Sequence, residues 1–328
     1  MSSAAIVVPA YNAAATLGTC LSALASGPHA ASILVVDNGS TDDTAAIARR
    51  HGAEVLCIDG PSGPAAARNT GVAVTTSDII VFVDADVIAS PAAVSRLLGA
   101  FETEDDLAAA FGSYDANPVA PGVPSRFKNL LHHFVHQQAD ERSTSFWAGF
   151  GAIRRDAFDA VGGFDAARYR RPSIEDIELG TRLWRARLRV RLVREAQVTH
   201  VKTWTLRQLV TTDVRDRAYP WTRLLLDTQA PAHDLNLRTR DRVSALVAWS
   251  AVIAIGTTIV APRAGAALAL TAVVLLVVLN RRLYRFFAGA DGWRFAAAAF
   301  GLHLLYYLYS SATYAVGVLL HLARTRAS

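Results

Sequence analysis

Four short apolar runs punctuate the first 84 residues, and none of them alternates apolar with polar side chains. They are Ala4–Pro9, Ser32–Asp37, Ala53–Asp59 and Ile79–Asp84. Strands buried on both faces read this way. Stretches of helical length separate them, so the pattern predicts a largely parallel sheet covered by helices, an α/β fold. Helices are expected over about 13–25, from a cap at Thr41 or Asp42 through Arg50, and from the Gly60-Pro61-Ser62-Gly63-Pro64 loop to about Val74. In such sheets ligands collect at the carboxyl ends of the strands. Asp37 and Asp84 end two of the runs, and Asp84 is followed by Ala85 and Asp86. Two carboxylates at alternate positions beyond a strand end can share one hard cation, Mg2+ or Mn2+. No Walker lysine loop and no G-x-G-x-x-G follows the first run, so a phosphate is expected to be held through metal and arginine.

The rest of the chain is built differently. The net charge of +5 hides a split: residues 1–150 carry −8, 151–242 carry +7, and 243–328 carry +6 with Asp291 as the sole acid. In that last block, 20 uncharged residues lie between Arg242 and Arg263, 17 between Arg263 and Arg281, and 29 between Arg294 and Arg324. A bilayer core takes roughly 20 apolar helical residues, so about three transmembrane helices are expected, the third rich in tyrosine. Arg238, Arg240, Arg242, Arg281, Arg282 and Arg285 flank these stretches. Positive-inside logic makes the chain an integral protein of the cytoplasmic membrane with its N-terminal domain facing the cytoplasm, although three spans would leave Arg324 and Arg326 outside. Residues 1–10 lack the charged start of a signal peptide and read as a strand. Between the two parts, residues 205–226 mix Leu206, Leu209, Trp221 and Leu224 with Arg207, Arg215, Arg217 and Arg223, which suits an interfacial helix that Pro220 should kink. Three regions follow: 1–204, 205–242 and 243–328. The basic middle adjoins the apolar stretches and carries no nucleic-acid motif, so membrane lipid is the expected partner. Lys128, His132, His133 and His136 read as a solvated or membrane-near helix. Cys20 and Cys57 imply no disulfide framework.

Val8-Pro9-Ala10-Tyr11-Asn12, Val36-Asp37-Asn38-Gly39-Ser40-Thr41-Asp42, Ala67-Arg68-Asn69-Thr70-Gly71 and Asp84-Ala85-Asp86, in this order and spacing, resemble the family-2 inverting glycosyltransferases. The resemblance covers roughly residues 4–225. It implies a Rossmann-like A-type glycosyltransferase domain and a nucleotide-sugar donor, with a UDP-sugar favoured and a GDP-sugar possible. Pro9, Tyr11, Asp37, Arg68, Asp84 and Ala85 would then meet the donor, and Asp86, with Asp84 and His200, the metal. The small-residue segment from Trp147 through Gly149 to Arg154 would shape the sugar and acceptor pocket. Ser173-Ile174-Glu175-Asp176 is similar to the family's acidic helix start, with Asp176 as the base and Glu175 as the lesser candidate. Inversion by direct displacement needs such a carboxylate to take the acceptor proton.

Two departures narrow the expectation. Ala13 stands where enzymes of polyprenyl phosphates usually have glutamate, and the Q-x-x-R-W segment of processive synthases is absent. The expected activity is therefore a single sugar transfer to a lipid-linked or membrane-proximal hydroxyl. A polyprenyl-phosphate acceptor, or a non-catalytic nucleotide-sugar-binding membrane protein, are the alternatives.

Overall fold

The computed structural model describes residues 3–27, 31–228 and 239–325; Arg238 and Arg326, used above to orient the chain, lie outside them. The chain divides into two units: residues up to 120 with 136–202, and 121–135 with everything from 203 onward.

The strands are β1 (Ala4–Ala10), β2 (Ser32–Asp37), β3 (Glu54–Cys57), β4 (Ile79–Val83), β5 (Val87–Ala89), β6 (Leu107–Tyr114), β7 (Arg142–Ser143), β8 (Phe150–Arg154) and β9 (Arg189–His200). They form one sheet in the order β3-β2-β1-β4-β8-β6-β9-β5, with β7 against β9. The four strands of the apolar runs pair in parallel. Beyond β4 the sheet is mixed: β8 runs antiparallel to β4 and β6, β6 and β9 are parallel, and β5 is antiparallel to β9. Every residue of β4 is buried, as expected for a strand covered on both faces. The covering helices of this unit are α1 (Leu17–Ala25), α2 (Thr44–Arg50), α3 (Pro64–Val74) and α4 (Ala93–Thr103). After α5 (Val123–Gln138), whose residues up to 135 belong to the second unit, come α6 (Arg155–Ala160) and α7 (Glu175–Arg185).

The second unit continues with α8 (Leu206–Thr212), a widened π turn over Asp213–Ala218, α9 (Tyr219–Thr228), α10 (Thr239–Thr257), α11 (Pro262–Leu279) and α12 (Arg281–Thr325). The break expected at Pro220 is absorbed by that π turn. A proline lacks the N–H for the i−4 carbonyl, and widening the preceding turn lets the helix continue without it. The sequence places the basic stretch of α5 in water or near a membrane; in the structure Lys128 and His136 within it are buried. Lys128 is buried and its ammonium donates to Asp213 at 2.6 Å, a carboxylate that also accepts from Tyr309 at 2.7 Å. Burial and the nearby Arg217 draw the Lys128 ammonium down to about 8, even with Asp213 opposing them.

The helical unit has a mostly apolar interior, with polar side chains paired within it, and exposes large apolar side chains as well. Asn280, 1 % exposed, donates to Ser244 and accepts from Tyr307, stitching α10, α11 and α12. Meanwhile Leu246, Ile253 and Leu270 are 65–70 % exposed. Among the described helices, α11 is the one whose length and mean hydropathy of 2.1 suit a membrane crossing, by length and composition. This helix takes in most of the second of the three uncharged stretches. α10 carries Arg240, Asp241 and Arg242 in its opening turns. The helical geometry of α12 breaks at Asp291 and Gly292, where the Asp291 carboxylate takes Arg126 at 2.6 Å.

Candidate active site

The loops beyond β1, β2 and β3 are sewn to one another by side chains. The N–H of Asn12 donates to Ser40 Oγ at 2.9 Å, Asn12 Oδ1 accepts the N–H of Thr41 at 2.8 Å, and the N–H of Ala13 donates to Thr44 Oγ1 at 2.8 Å. Asn38 Oδ1 accepts the N–H of Ser62 at 3.0 Å and its hydroxyl at 2.7 Å. The polar residues of these loops therefore serve first to hold the backbone. On this platform Pro9 lies within β1, Tyr11 is 48 % exposed just after it, and Asp37 is buried at the end of β2, accepting from the N–H of Ser40. Parallel pairing sets the ends of β1, β2 and β4 side by side, and the carboxylate of Asp84 follows β4.

Arg68 departs from expectation. It projects from α3 as a buried guanidinium, donating to Asp84 Oδ1 at 2.7 Å through one arm and to Glu175 Oε1 at 3.0 Å through the other. The other oxygen of Glu175 accepts the N–H of Ser173 at 2.9 Å. Both oxygens of Glu175 thus have partners, one of them a buried guanidinium. The Nε of Arg68 is buried without a hydrogen-bond partner among the described residues. Its charge is held firmly: burial disfavours it, but Asp84, Glu175 and Asp176 together raise its proton affinity.

Asp176 sits in the first turn of α7, partly exposed. One carboxylate oxygen accepts the N–H of Ala148 at 3.2 Å and the other its neighbour's N–H, on Ile177, at 2.8 Å. Burial, then the charge of Glu175, push this carboxyl up to about 7, with Arg68 and the two N–H donors pulling the other way. A carboxyl poised there is matched to proton transfer near neutral pH.

The spacing of Asp84 and Asp86 suggested a shared cation, and one oxygen of Asp84 is engaged by Arg68. Asp86 instead meets His200, whose Nε2 lies 3.5 Å from Oδ2. The antiparallel register that places Val87 opposite His200 creates this pair. Burial works to raise the Asp86 carboxyl, but the hydrogen bond and charge of His200, and the charge of Lys202, hold it below its usual range. Burial lifts Asp84 instead, against Arg68, and the charge of Asp86 adds to the lift. The carboxylate oxygen suits Mg2+ or Mn2+, and an imidazole nitrogen beside it suits Mn2+ better than Mg2+. Among the described residues no three His, Cys, Asp or Glu side chains converge to hold an ion by themselves.

Trp147 and Gly149 lie in the connection to β8. The carbonyl of Gly149 accepts the N–H of Asp84 at 3.0 Å, and a Cβ there would stand 2.5 Å from the indole nitrogen of Trp147. The Trp147 ring meets Tyr114 edge-on at 4.6 Å, and Tyr114 lies 5.1 Å from the ring of His200. Tyr114, at the end of β6, carried no sequence signal; the sheet order alone brings it here. Arg154 is not part of the site. It occupies the far end of β8, opposite Ile79, and its guanidinium donates to the carbonyls of Leu107 and Phe101.

Residues 5–162 match the family described as glycosyl transferase family 2. This stretch is a glycosyltransferase family 2 domain. The succinoglycan biosynthesis protein ExoU of Rhizobium meliloti is 37 % identical over 98 residues, 28 % of this chain and 29 % of that protein. The pre-mycofactocin glycosyltransferase of Mycobacterium tuberculosis is 31 % identical over 217 residues, 62 % of this chain and 44 % of that protein. The chain therefore spans less than half the length of either relative. In fold, the chain is similar to the mannosyltransferase PcManGT of Pyrobaculum calidifontis, solved in complex with GDP-Man and Mn2+. The TM-score is 0.55 at 18 % identity, covering 97 % of this chain and 86 % of that one. The family 2 domain holds the strand-end aspartates and Arg68, while Asp176 and His200 lie beyond residue 162 in the same α/β unit.

Proposed function

We propose that this chain is a membrane-attached, metal-dependent inverting glycosyltransferase. It moves one sugar from a nucleoside diphosphate sugar to a hydroxyl of a lipid-linked or membrane-proximal acceptor. The observation that carries the reading is a single guanidinium. Arg68 touches Asp84, two residues from the Asp86–His200 pair, and Glu175, the neighbour of Asp176. A cation-fitting pair and a carboxyl near 7 are thereby gathered within one unit, at the strand ends where ligands collect.

Tyr11 offers an aromatic face and Asp37 an acceptor for the nucleoside end of the donor. Asp86 and His200 would hold the divalent cation, which when bound neutralises charge on the departing diphosphate. Ionised Asp176 takes the proton of the acceptor hydroxyl. Its oxygen then forms the bond to the anomeric carbon from the face opposite the diphosphate, and the diphosphate leaves with the electron pair. The GDP-Man and Mn2+ of the similar mannosyltransferase support a nucleotide sugar with a divalent ion here. The helical unit supports the membrane: its surface of exposed leucine and isoleucine suits lipid and not water. With the arginines near the helix ends, it supports the family 2 domain lying on the cytoplasmic side.

The test is nucleoside diphosphate release by the full-length protein across UDP-, GDP- and dTDP-sugars, with Mn2+ or Mg2+, with and without membrane lipid. Asp86→Ala and Asp176→Asn serve as controls. Lipid-stimulated release that both variants lose is the expected result. A lipid phosphate acceptor has no proton to surrender at neutral pH, so near-normal turnover by Asp176→Asn would overturn the hydroxyl acceptor. Nucleotide binding without release for any donor would overturn the enzyme.

A further inference from the structure

Asp84 and Glu175 are 91 positions apart in sequence, and the α/β unit spends a buried arginine to join them. Arg68 is 4 % exposed and Glu175 5 %. The two arms of Arg68 and both oxygens of Glu175 already have partners: each other, Asp84 and the N–H of Ser173. An arginine whose only task was to hold α3 against α7 would not need a charge, and well-packed apolar groups do as much at lower desolvation cost. The charge has a further consequence at the next residue. Asp176 feels an anion on its own helix, Glu175, and a cation from α3, Arg68. The two act in opposite directions.

Resting on the reading of Asp176 as the base, we propose that Arg68 is its positioning residue: the Asp84–Arg68–Glu175 bridge fixes the first turn of α7 and sets the charge that Asp176 carries when the acceptor arrives. With the bridge intact, the negative charge of Glu175 is drawn toward Arg68 and Asp176 is free to ionise near neutrality. Without the guanidinium, two adjacent carboxyls face each other at a helix start in a desolvated site, and one of them keeps a proton. The base would then be disarmed without being touched.

The experiment titrates Asp176 directly. The carboxyl stretch of isotope-labelled aspartate is followed by infrared spectroscopy on the full chain in lipid nanodiscs, with Asp176→Asn assigning the band. Arg68→Met should raise the midpoint by about one pH unit and Glu175→Gln should lower it by about one, as removal of an opposite and a like charge demands. Arg68→Lys, which keeps the charge, should stay close to wild type. Opposed shifts from two residues that touch each other are not what loosened packing produces. Midpoints that move the same way, or a Glu175→Gln midpoint that stays put, overturn the proposal. If the Arg68 variants do not fold, the isosteric Glu175→Gln decides alone. Turnover is measured on the same samples, and the acid limb of its pH profile should follow each midpoint. Opposed midpoints in a protein that transfers no sugar would refute the enzymatic reading while leaving the bridge as described.

Discussion

Replacing Asp176 with asparagine should make the protein more stable and inactive together, and more so as the pH rises. Folding raises the proton affinity of this carboxyl from 3.8 to about 7. The native chain therefore holds a proton that the unfolded chain has released between those values, and wild-type stability falls as pH climbs through that window. The full displacement corresponds to at most about 4 kcal/mol at pH 8, and partial exposure of the group brings a working figure to about 2 kcal/mol. Asparagine has no charge to lose but only one acceptor oxygen, so either the Ala148 or the Ile177 N–H is left without its partner, at about 1 kcal/mol. Near pH 5 the two effects almost cancel. By pH 8 the variant should lead, the gap having widened by about 1–2 kcal/mol, or roughly 3–8 °C in melting temperature for a unit of this size. Thermal melts of the full-length protein at half-unit steps from pH 5 to 8.5 provide the assay. A gap that is flat with pH, or that narrows toward pH 8, would refute the claim that Asp176 is charged against its surroundings.

Other sites give simpler outcomes. Gly180→Ala would put a Cβ 2.4 Å from the backbone nitrogen of Phe146, an overpacked contact that should cost about 1–3 kcal/mol in a melt. His200→Ala should raise the Mn2+ concentration for half-maximal turnover at least tenfold, restored by excess metal, while chelation should silence the wild type. Lys128→Met leaves Asp213 buried with Tyr309 and a longer 3.5 Å contact to Arg217, and should lower the stability of the helical unit by about 3 kcal/mol in denaturant titration.

What the sequence disclosed was local. The parallel strands were legible because β1, β2 and β4 are apolar without alternation, and the aspartates that follow β2 and β4 mark where such a sheet binds its ligand. The acidic start of α7 was likewise readable. What escaped was every relation that needs the sheet order. Nothing near Asp86 announces that β9 returns beside β5, so His200 could be named from resemblance but not placed. Arg68 looked like a donor ligand because a lone arginine gives no hint of a carboxylate 107 residues away. Arg154 was assigned to the pocket because five residues seem close in sequence, yet along β8 they span the depth of the sheet. Lys128 of α5 read as solvated or membrane-near since the carboxylate that meets it, Asp213, comes from a distant turn. Composition did not reveal where the C-terminal helices start or break, as at Asp291 and Gly292.

The placement of α5 sets conditions on how the protein is made. Its rings Phe127 and Phe134 rest on Phe287 and Phe286, which a ribosome adds about 150 residues later, a wait on the order of ten seconds. Through that interval the nascent chain carries an amphipathic helix whose apolar rings lack their partners, flanked on both sides by segments already free to assemble the sheet. A chaperone or the bilayer itself must shelter it. For the same reason a shortened gene ending near residue 204 would yield a polypeptide with this helix permanently stripped, so insolubility of such a product would report on α5 and not on the catalytic fold.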